Sequence, residues 1–212
     1  VLLVIGAGWV GSAFAEAPVA PAKNAEPTPT ALHEYVARPE PDFKWEIKSR
    51  PEKGKGGVTA VELTSQTWQG IRWNHWLYIF EPTVIEFPDK MVLYNTGGEI
   101  GQQPSVADTA MGLRLAQLSG ARVAFVFQVP NQPLLDGRVE DDLITETFLK
   151  YLTTKDPSWP ALFPMVKSVV KAMDAVQAIA KAEWNQSIAG FVVTGASDRK
   201  STRLNSSHSS VS

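Results

Sequence analysis

The chain has 212 residues, 44% hydrophobic and 20% charged, with a formal net charge of −2 and no cysteine. This is the composition of an ordinary folded domain. The near-neutral charge supplies no basic surface for nucleic acid or an anionic membrane. The absence of Cys removes disulfides, thiol catalysis and Cys-based zinc sites.

The chain opens with the apolar run VLLVIGAGWVGSAFA, residues 1–15, ending in the small-x-small pattern Ala13-Phe14-Ala15. That pattern is a signal-peptidase site, and the run is too short for a spanning helix. The basic n-region is expected upstream of Val1. Gly6 to Gly11 also spell G-x-G-x-x-G, but Pro18, Pro21, Pro27 and Pro29 follow where a dinucleotide site needs a crossover helix. The run therefore reads as a signal peptide, with a secreted or periplasmic product and no membrane span after cleavage. Residues 16–30 are a Pro/Ala linker.

From Ala31 the pattern changes to that of a folded domain. A short helix is expected to stop at Arg38-Pro39, because a residue before Pro leaves the helical region. Phe43–Lys48 alternates as a strand, residues 51–57 turn, and Val58–Trp68 is its hairpin partner. His75–Pro82 and Lys90–Glu99 are strand-like, the second ending in Gly97-Gly98. Ser105 and Asp108 form a capping-box signature. Val106, Ala110, Leu113 and Ala116 mark a helical stripe that ends at Gly120. Ala121–Pro130 reads as a buried strand. Glu140, Asp141 and Asp142 open a helix with the apolar face Leu143, Ile144, Thr147, Phe148, Tyr151 and Leu152. Pro164 starts a longer helix with Val166, Val169, Val170, Met173, Val176 and Ala180 on one side. Ile188–Gly195 is a last buried strand.

Helices alternate with continuous apolar strands after residue 90, which predicts parallel strands buried on both faces. The expected fold is α/β, a partial α/β-hydrolase-like three-layer sandwich with N-terminal antiparallel edge strands. It is cut off after the strand that leads to Gly195-Ala196-Ser197. In that fold a nucleophile elbow lifts a serine above the sheet, and an oxyanion loop follows an earlier strand. Ser197 is the candidate nucleophile, Gly195 and Ala196 its elbow, and Gly97 and Gly98 the oxyanion loop. The backbone N–H groups near Gly98 and of residue 198 are the expected oxyanion donors. The Gly normally found two residues after the serine is replaced by Arg199.

The triad acid and base should follow the serine, but the chain holds no candidates there. His33 lies in the first helix, and His75 sits between Trp73 and Trp76, where it reads as a packed core or edge histidine rather than a catalytic base. No metal-ligand spacing of histidines occurs, and neither metal nor cofactor is expected. Asp198 to His208 resembles an in-frame reading of a DNA-sequencing adapter, so residues 198–212, including His208, are set aside as non-native.

Several strings together carry a family resemblance: LTSQTW (63–68), WNHW (73–76) before LYIFEP, Gly97-Gly98, VPNQPL (129–134), and the run from Asp141 to Gln177 that includes DPSWPALFPMVKS. Over 31–197 the chain resembles the PhoPQ-activated pathogenicity-related protein family. The resemblance implies an α/β-hydrolase-like fold with the family's VVxGAS serine at Ser197. It also implies a serine hydrolase of an ester or amide, whose small-molecule or peptide substrate it leaves open. The alternative is a secreted signalling or binding protein that keeps the scaffold without catalysis. The chain alone is expected to be inactive, because no base follows Ser197.

Overall fold

A computed structural model describes residues 30–52 and 54–196. Ten elements follow in chain order: α1 (Ala31–Ala37), β1 (Lys44–Ser49), β2 (Gly57–Trp68), β3 (Ile71–Glu81), β4 (Lys90–Asn95), α2 (Val106–Ser119), β5 (Arg122–Val126), α3 (Glu140–Thr154), α4 (Leu162–Glu183) and β6 (Gly190–Gly195). The six strands form one sheet in the order β1-β2-β3-β5-β4-β6. The pairs β1/β2, β2/β3 and β3/β5 are antiparallel, while β5/β4 and β4/β6 are parallel. From β2 onward this is the strand order of an α/β-hydrolase-like sheet, with its one antiparallel strand at β3.

The side-chain alternation of the strands builds two cores, one on each face of the sheet. Leu63, Leu77, Ile79, Leu93, Ala124 and Val126 face α4. Phe80, Val123, Phe125 and Tyr94 face α2. Helix, sheet and helix thus make the three layers expected. A third cluster, with Trp68, Trp73 and Leu143 at its centre, closes one end. Trp68 stands edge-on to both Trp73 and Trp159, with ring centroids 5.8 and 5.9 Å apart.

Three expected helix faces shift. On α2 the inner residues are Gly112 and Ala116, with Leu113 and Leu115 beside them, while Val106 is 88% exposed and Ala110 also faces out. The capping box of Ser105 and Asp108 forms as expected, and Gly120 ends the helix in the left-handed region at φ 63°. On α4 the buried stripe is Ser168, Ala172, Ala175, Val176, Ile179 and Ala180. Small side chains let the helix lie close on the sheet; Val169 and Met173 flank this contact, and Val166 faces out. On α3 only Leu143 and Thr147 are buried, and Phe148 and Leu152 are exposed. Strand β6 was expected to be buried on both faces. Among the described residues it pairs with β4 alone, and Val192 and Val193 are exposed.

Two buried cations are each neutralised. Lys167 Nζ lies 3.0 Å from Glu40 and donates to Arg38 O, tying α4 to the turn after α1. Arg122 bonds Glu81 at 2.7 Å and stacks on Trp184 at 4.0 Å. Their hydrogen bonds offset the cost of removing charge from water.

Gly112 is required by space. A Cβ there would sit inside the ring of the fully buried Phe80. Gly112→Ala gains about 1 kcal/mol of helix propensity. Overpacking against a ring with nowhere to move costs about 1–3 kcal/mol, and here the upper end applies. The melting temperature of Gly112→Ala is expected to fall by about 2–8 °C. An unchanged or raised value would contradict this packing.

Candidate active site

The parallel strands β4, β5 and β6 bring their carboxyl ends to one edge of the sheet, where ligands bind in open α/β folds. There β4 runs out through Asn95 and Thr96 into Gly97-Gly98, and β6 runs out through Gly195 into Ala196. Asn95 pairs with Gly195, and Ala196 N–H donates to Asn95 O at 3.2 Å. A Cβ on Gly195 would lie 2.5 Å from Asn95 O. Glycine therefore sets how closely the two strand ends approach. Asn95 Oδ1 is buried at this junction with no partner among the described residues. Ser197 lies outside the described residues.

The glycine loop is held from the side of β5. Thr96 N–H donates to Val126 O, Gln128 N–H to Gly97 O, and Val129 N–H to Thr96 O. Gly98 adopts φ 111°, a conformation that favours glycine. Beyond it, Glu99 N–H donates to Gln102 Oε1 and Ile100 N–H to Gln132 O. Among the described residues, the N–H groups of Gly97 and Gly98 have no hydrogen-bond partner. They border a cavity of about 180 Å³ that Gln102, Gln103 and Gln128 also line.

His75 is placed as a core residue. It is buried, with Nδ1 3.0 Å from Phe127 O and Nε2 2.9 Å from Ser65 Oγ. Ser65 Oγ is 3.0 Å from Ser168 Oγ, Gln66 Nε2 donates to Ser168 Oγ and to Pro164 O, and Tyr35 O–H donates to Gln66 Oε1. These groups have one consistent direction of donation. Tyr35 donates to Gln66, Gln66 to Ser168, Ser168 to Ser65, Ser65 to His75 Nε2, and His75 Nδ1–H to Phe127 O. The order requires a neutral imidazole. Burial lowers the His75 pKa from 6.5 to about 4, against the opposing pull of hydrogen bonds from the backbone at Phe127 and Gln128. Its lone pair is committed to Ser65, so His75 is no general base.

A break in β2 made this network hard to foresee. The β2/β3 register slips between Thr64 and Gln66, leaving Ser65 as a bulge. Two successive polar residues, Ser65 and Gln66, are consequently both fully buried. The polar string Thr64-Ser65-Gln66 inside an apolar strand was the only signal. Of the other histidines, His33 is exposed on α1 and His208 lies outside the described residues. Among the described residues no group of three or more His, Cys, Asp or Glu could hold a metal. Asp142 pairs with Arg138 at 2.8 Å, and Asp156 caps the turn at Ser158, whose N–H and O–H hold its carboxyl below the usual range.

Two outcomes follow from this geometry. A group with a depressed folded-state pKa weakens the fold as pH drops through the window between its unfolded and folded values. For His75 the drop from 6.5 to about 4, at about 1.4 kcal/mol per unit, removes about 3 kcal/mol between about pH 6.5 and 4. Urea unfolding across this window should show that loss, and His75→Asn, which cannot titrate, should lack it. An equal loss in His75→Asn would contradict the assignment. Gly195→Ala should force β6 off Asn95 and lower the melting temperature by several degrees; an unaltered melt would mean that the strand ends are not in close contact.

A family model described as PhoPQ-activated pathogenicity-related protein matches residues 32–206. The matched span runs past Ser197 into residues that the sequence analysis set aside. Autocrine proliferation repressor protein A of Dictyostelium discoideum is 35% identical over 182 residues, covering 80% of this chain and 36% of that protein. Among solved structures, a glucuronoyl esterase from Solibacter usitatus aligns with a TM-score of 0.46 at 15% identity, over 79% of this chain and 51% of that one. A Bacteroides fragilis protein described as an acetyl xylan esterase aligns with a TM-score of 0.46 at 15% identity, over 79% of this chain and 45% of that one. The chain therefore spans about half the length of these structures and little more than a third of the curated relative. With a family match over residues 32–206, most of its length, this chain belongs to the PhoPQ-activated pathogenicity-related protein family.

Proposed function

We propose that the protein is an exported serine hydrolase that cleaves an ester or amide through an acyl-enzyme on Ser197. The observation that carries the reading is the junction at Asn95. It brings Gly195-Ala196, the two residues before Ser197, against the strand that ends in Gly97-Gly98. The N–H groups of Gly97 and Gly98, unpartnered among the described residues, then suit the oxygen of a tetrahedral intermediate, together with the backbone N–H at position 198. In the proposed reaction Ser197 Oγ bonds to the substrate carbonyl carbon and its proton passes to a general base. The intermediate collapses, expelling the alcohol or amine with that proton, and water releases the acid in the mirror-image step. His75 is committed to the core and His33 is remote on α1, so the acid and base lie outside the described residues.

Residues 1–15 fit a signal peptide and 16–30 a linker in this proposal, which makes the product secreted or periplasmic. Residues 31–197 form the first part of the hydrolase-like domain, and 198–212 are an adapter-derived tail. Among the described residues no helix is long and apolar enough to cross a membrane. The second reading is an exported signalling protein on the same scaffold. It rests on the 35% identity to a protein named as a proliferation repressor.

A fluorophosphonate probe separates the two readings, because it reacts only with an activated serine. The protein should be expressed with whatever its gene encodes on either side of these residues. Labelling is expected at Ser197 and lost in Ser197→Ala; a folded protein that takes no label would favour the signalling reading. The 212-residue chain alone should hydrolyse p-nitrophenyl esters no faster than its Ser197→Ala variant. A faster chain would mean that one of its own histidines reaches the serine.

A further inference from the structure

Beside the glycine loop, on the α2 face of the sheet, lies a cleft of about 730 Å³ that no helix covers. Its floor is β1, β2 and β3, and Ile100 and Gly101 of the glycine loop rim it. Gln103 and Gln128 line both this cleft and the small cavity at Gly97-Gly98. The two spaces therefore adjoin, with Gln103 and Gln128 between them. The volume is that of a pocket for a small organic ligand.

The strand register sorts the charges along the cleft. Lys44, Thr64 and Asn74 lie on one rung across β1, β2 and β3. Arg72 follows toward the end of the sheet where β5 and β4 finish. Glu46 and Glu62 lie on the next rung the other way, where Lys48 holds both at 3.3 and 3.1 Å. Lys48 thus offsets one of the two acidic charges at the far end, a rung away from the near end. Lys44 and Arg72, at the near end, have no ion-pair partner among the described residues.

The amides at the near end are also oriented. Asn74 Oδ1 accepts from Thr64 Oγ1 at 2.8 Å, and Gln103 Oε1 accepts from Tyr78 O–H at 3.3 Å. In both cases the acceptor is used, and the NH₂ group has no hydrogen-bond partner among the described residues. Gln128 is spent on Trp76 N–H and Gln102 O. What remains to meet a ligand at the near end is an ammonium, a guanidinium and two amide NH₂ groups, which are all donors, with Trp76 lining the cleft beside them. An oxyanion is the group that such a set satisfies, and the guanidinium fork matches a carboxylate or phosphate.

We propose that this cleft is the substrate's second subsite and binds an oxyanion, carboxylate or phosphate, carried on the part of the substrate away from the scissile bond. The inference rests on the hydrolase reading for the word substrate, but its test does not need turnover.

Binding should be measured on the Ser197→Ala protein, so that the result is independent of catalysis. The probes are phenylacetate, phenyl phosphate and the neutral isostere phenylacetamide. The readout is the indole N–H resonance of Trp76, assigned with Trp76→Phe. At least one anion is expected to shift that resonance in a saturable way, phenylacetate marking a carboxylate site and phenyl phosphate a phosphoryl site. The amide should bind at least about tenfold more weakly, and so should the better anion to Arg72→Gln or Lys44→Gln, with melting temperatures unchanged because both side chains are exposed. Equal binding of amide and anions, no loss in either variant, or no shift with any probe would overturn the proposal. Failure of fluorophosphonate labelling alongside a positive result here would remove the catalytic reading and leave the anion site standing.

Discussion

One directed chain of hydrogen bonds runs through the middle of this protein, from Tyr35 on α1 to the carbonyl of Phe127 at the end of β5. It crosses α1, β2, α4, β3 and β5, and every member is buried. A buried network of this kind stabilises only when each donor and acceptor is matched. Here the matching depends on the proton at His75 Nδ1. The consequence reaches the candidate site, because Phe127 is followed by Gln128 and Val129, whose N–H groups hold the carbonyls of Gly97 and Thr96. In a protonated His75, Nε2–H would donate to Ser65 Oγ and the hydroxyls of Ser65 and Ser168 would have to turn. Ser168 Oγ would then accept from both Gln66 and Ser65, and its own proton would lose Ser65 as acceptor.

Small residues set the distances that bring the layers and the site together. Gly112 admits the ring of Phe80 under α2, and Ala172 and Ala175 let α4 lie on the sheet. Gly195 lets β6 end against Asn95 O. None of these contacts contributes much apolar area. Each instead removes a steric obstacle, so that the larger side chains around it can be buried at interior density. The same economy explains why Gly97 and Gly98 expose their N–H groups: no Cβ stands between the backbone and the adjoining cavity.

Much of the architecture was legible in the sequence. The hairpin of β1 and β2, the capping box of α2, the apolar strands β4 and β5, and the glycines after β4 are local signals, and local physics places them. The helix faces were less legible. Periodicity finds large apolar side chains, yet the buried stripe of α4 carries Ser168, Ala172, Ala175 and Ala180 beside Val176 and Ile179, while Val169 flanks it and Val166 faces out. The bulge at Ser65 was invisible for another reason. It reverses the side of the sheet that a residue faces, and only pairing with β3 and packing against α4 decide that. His75 was legible as a core or edge residue from its Trp neighbours, but its partners, Ser65 on β2 and Phe127 at the end of β5, come from elsewhere in the sheet. The cleft between Lys44, Arg72 and Trp76 could not be foreseen, because it is assembled by strand register across residues far apart in the chain.

The central claim is that the turn after β6 and the loop after β4 form one oxyanion site. Its most direct test is a crystal structure of the protein, expressed with its natural flanking sequence, after reaction with a dialkyl aryl phosphate. The account predicts phosphorus bonded to Ser197 Oγ, with the phosphoryl oxygen about 2.7–3.1 Å from the backbone N–H of Gly98 or Gly97. An adduct on another residue, or a phosphoryl oxygen turned away from these glycines, would contradict it.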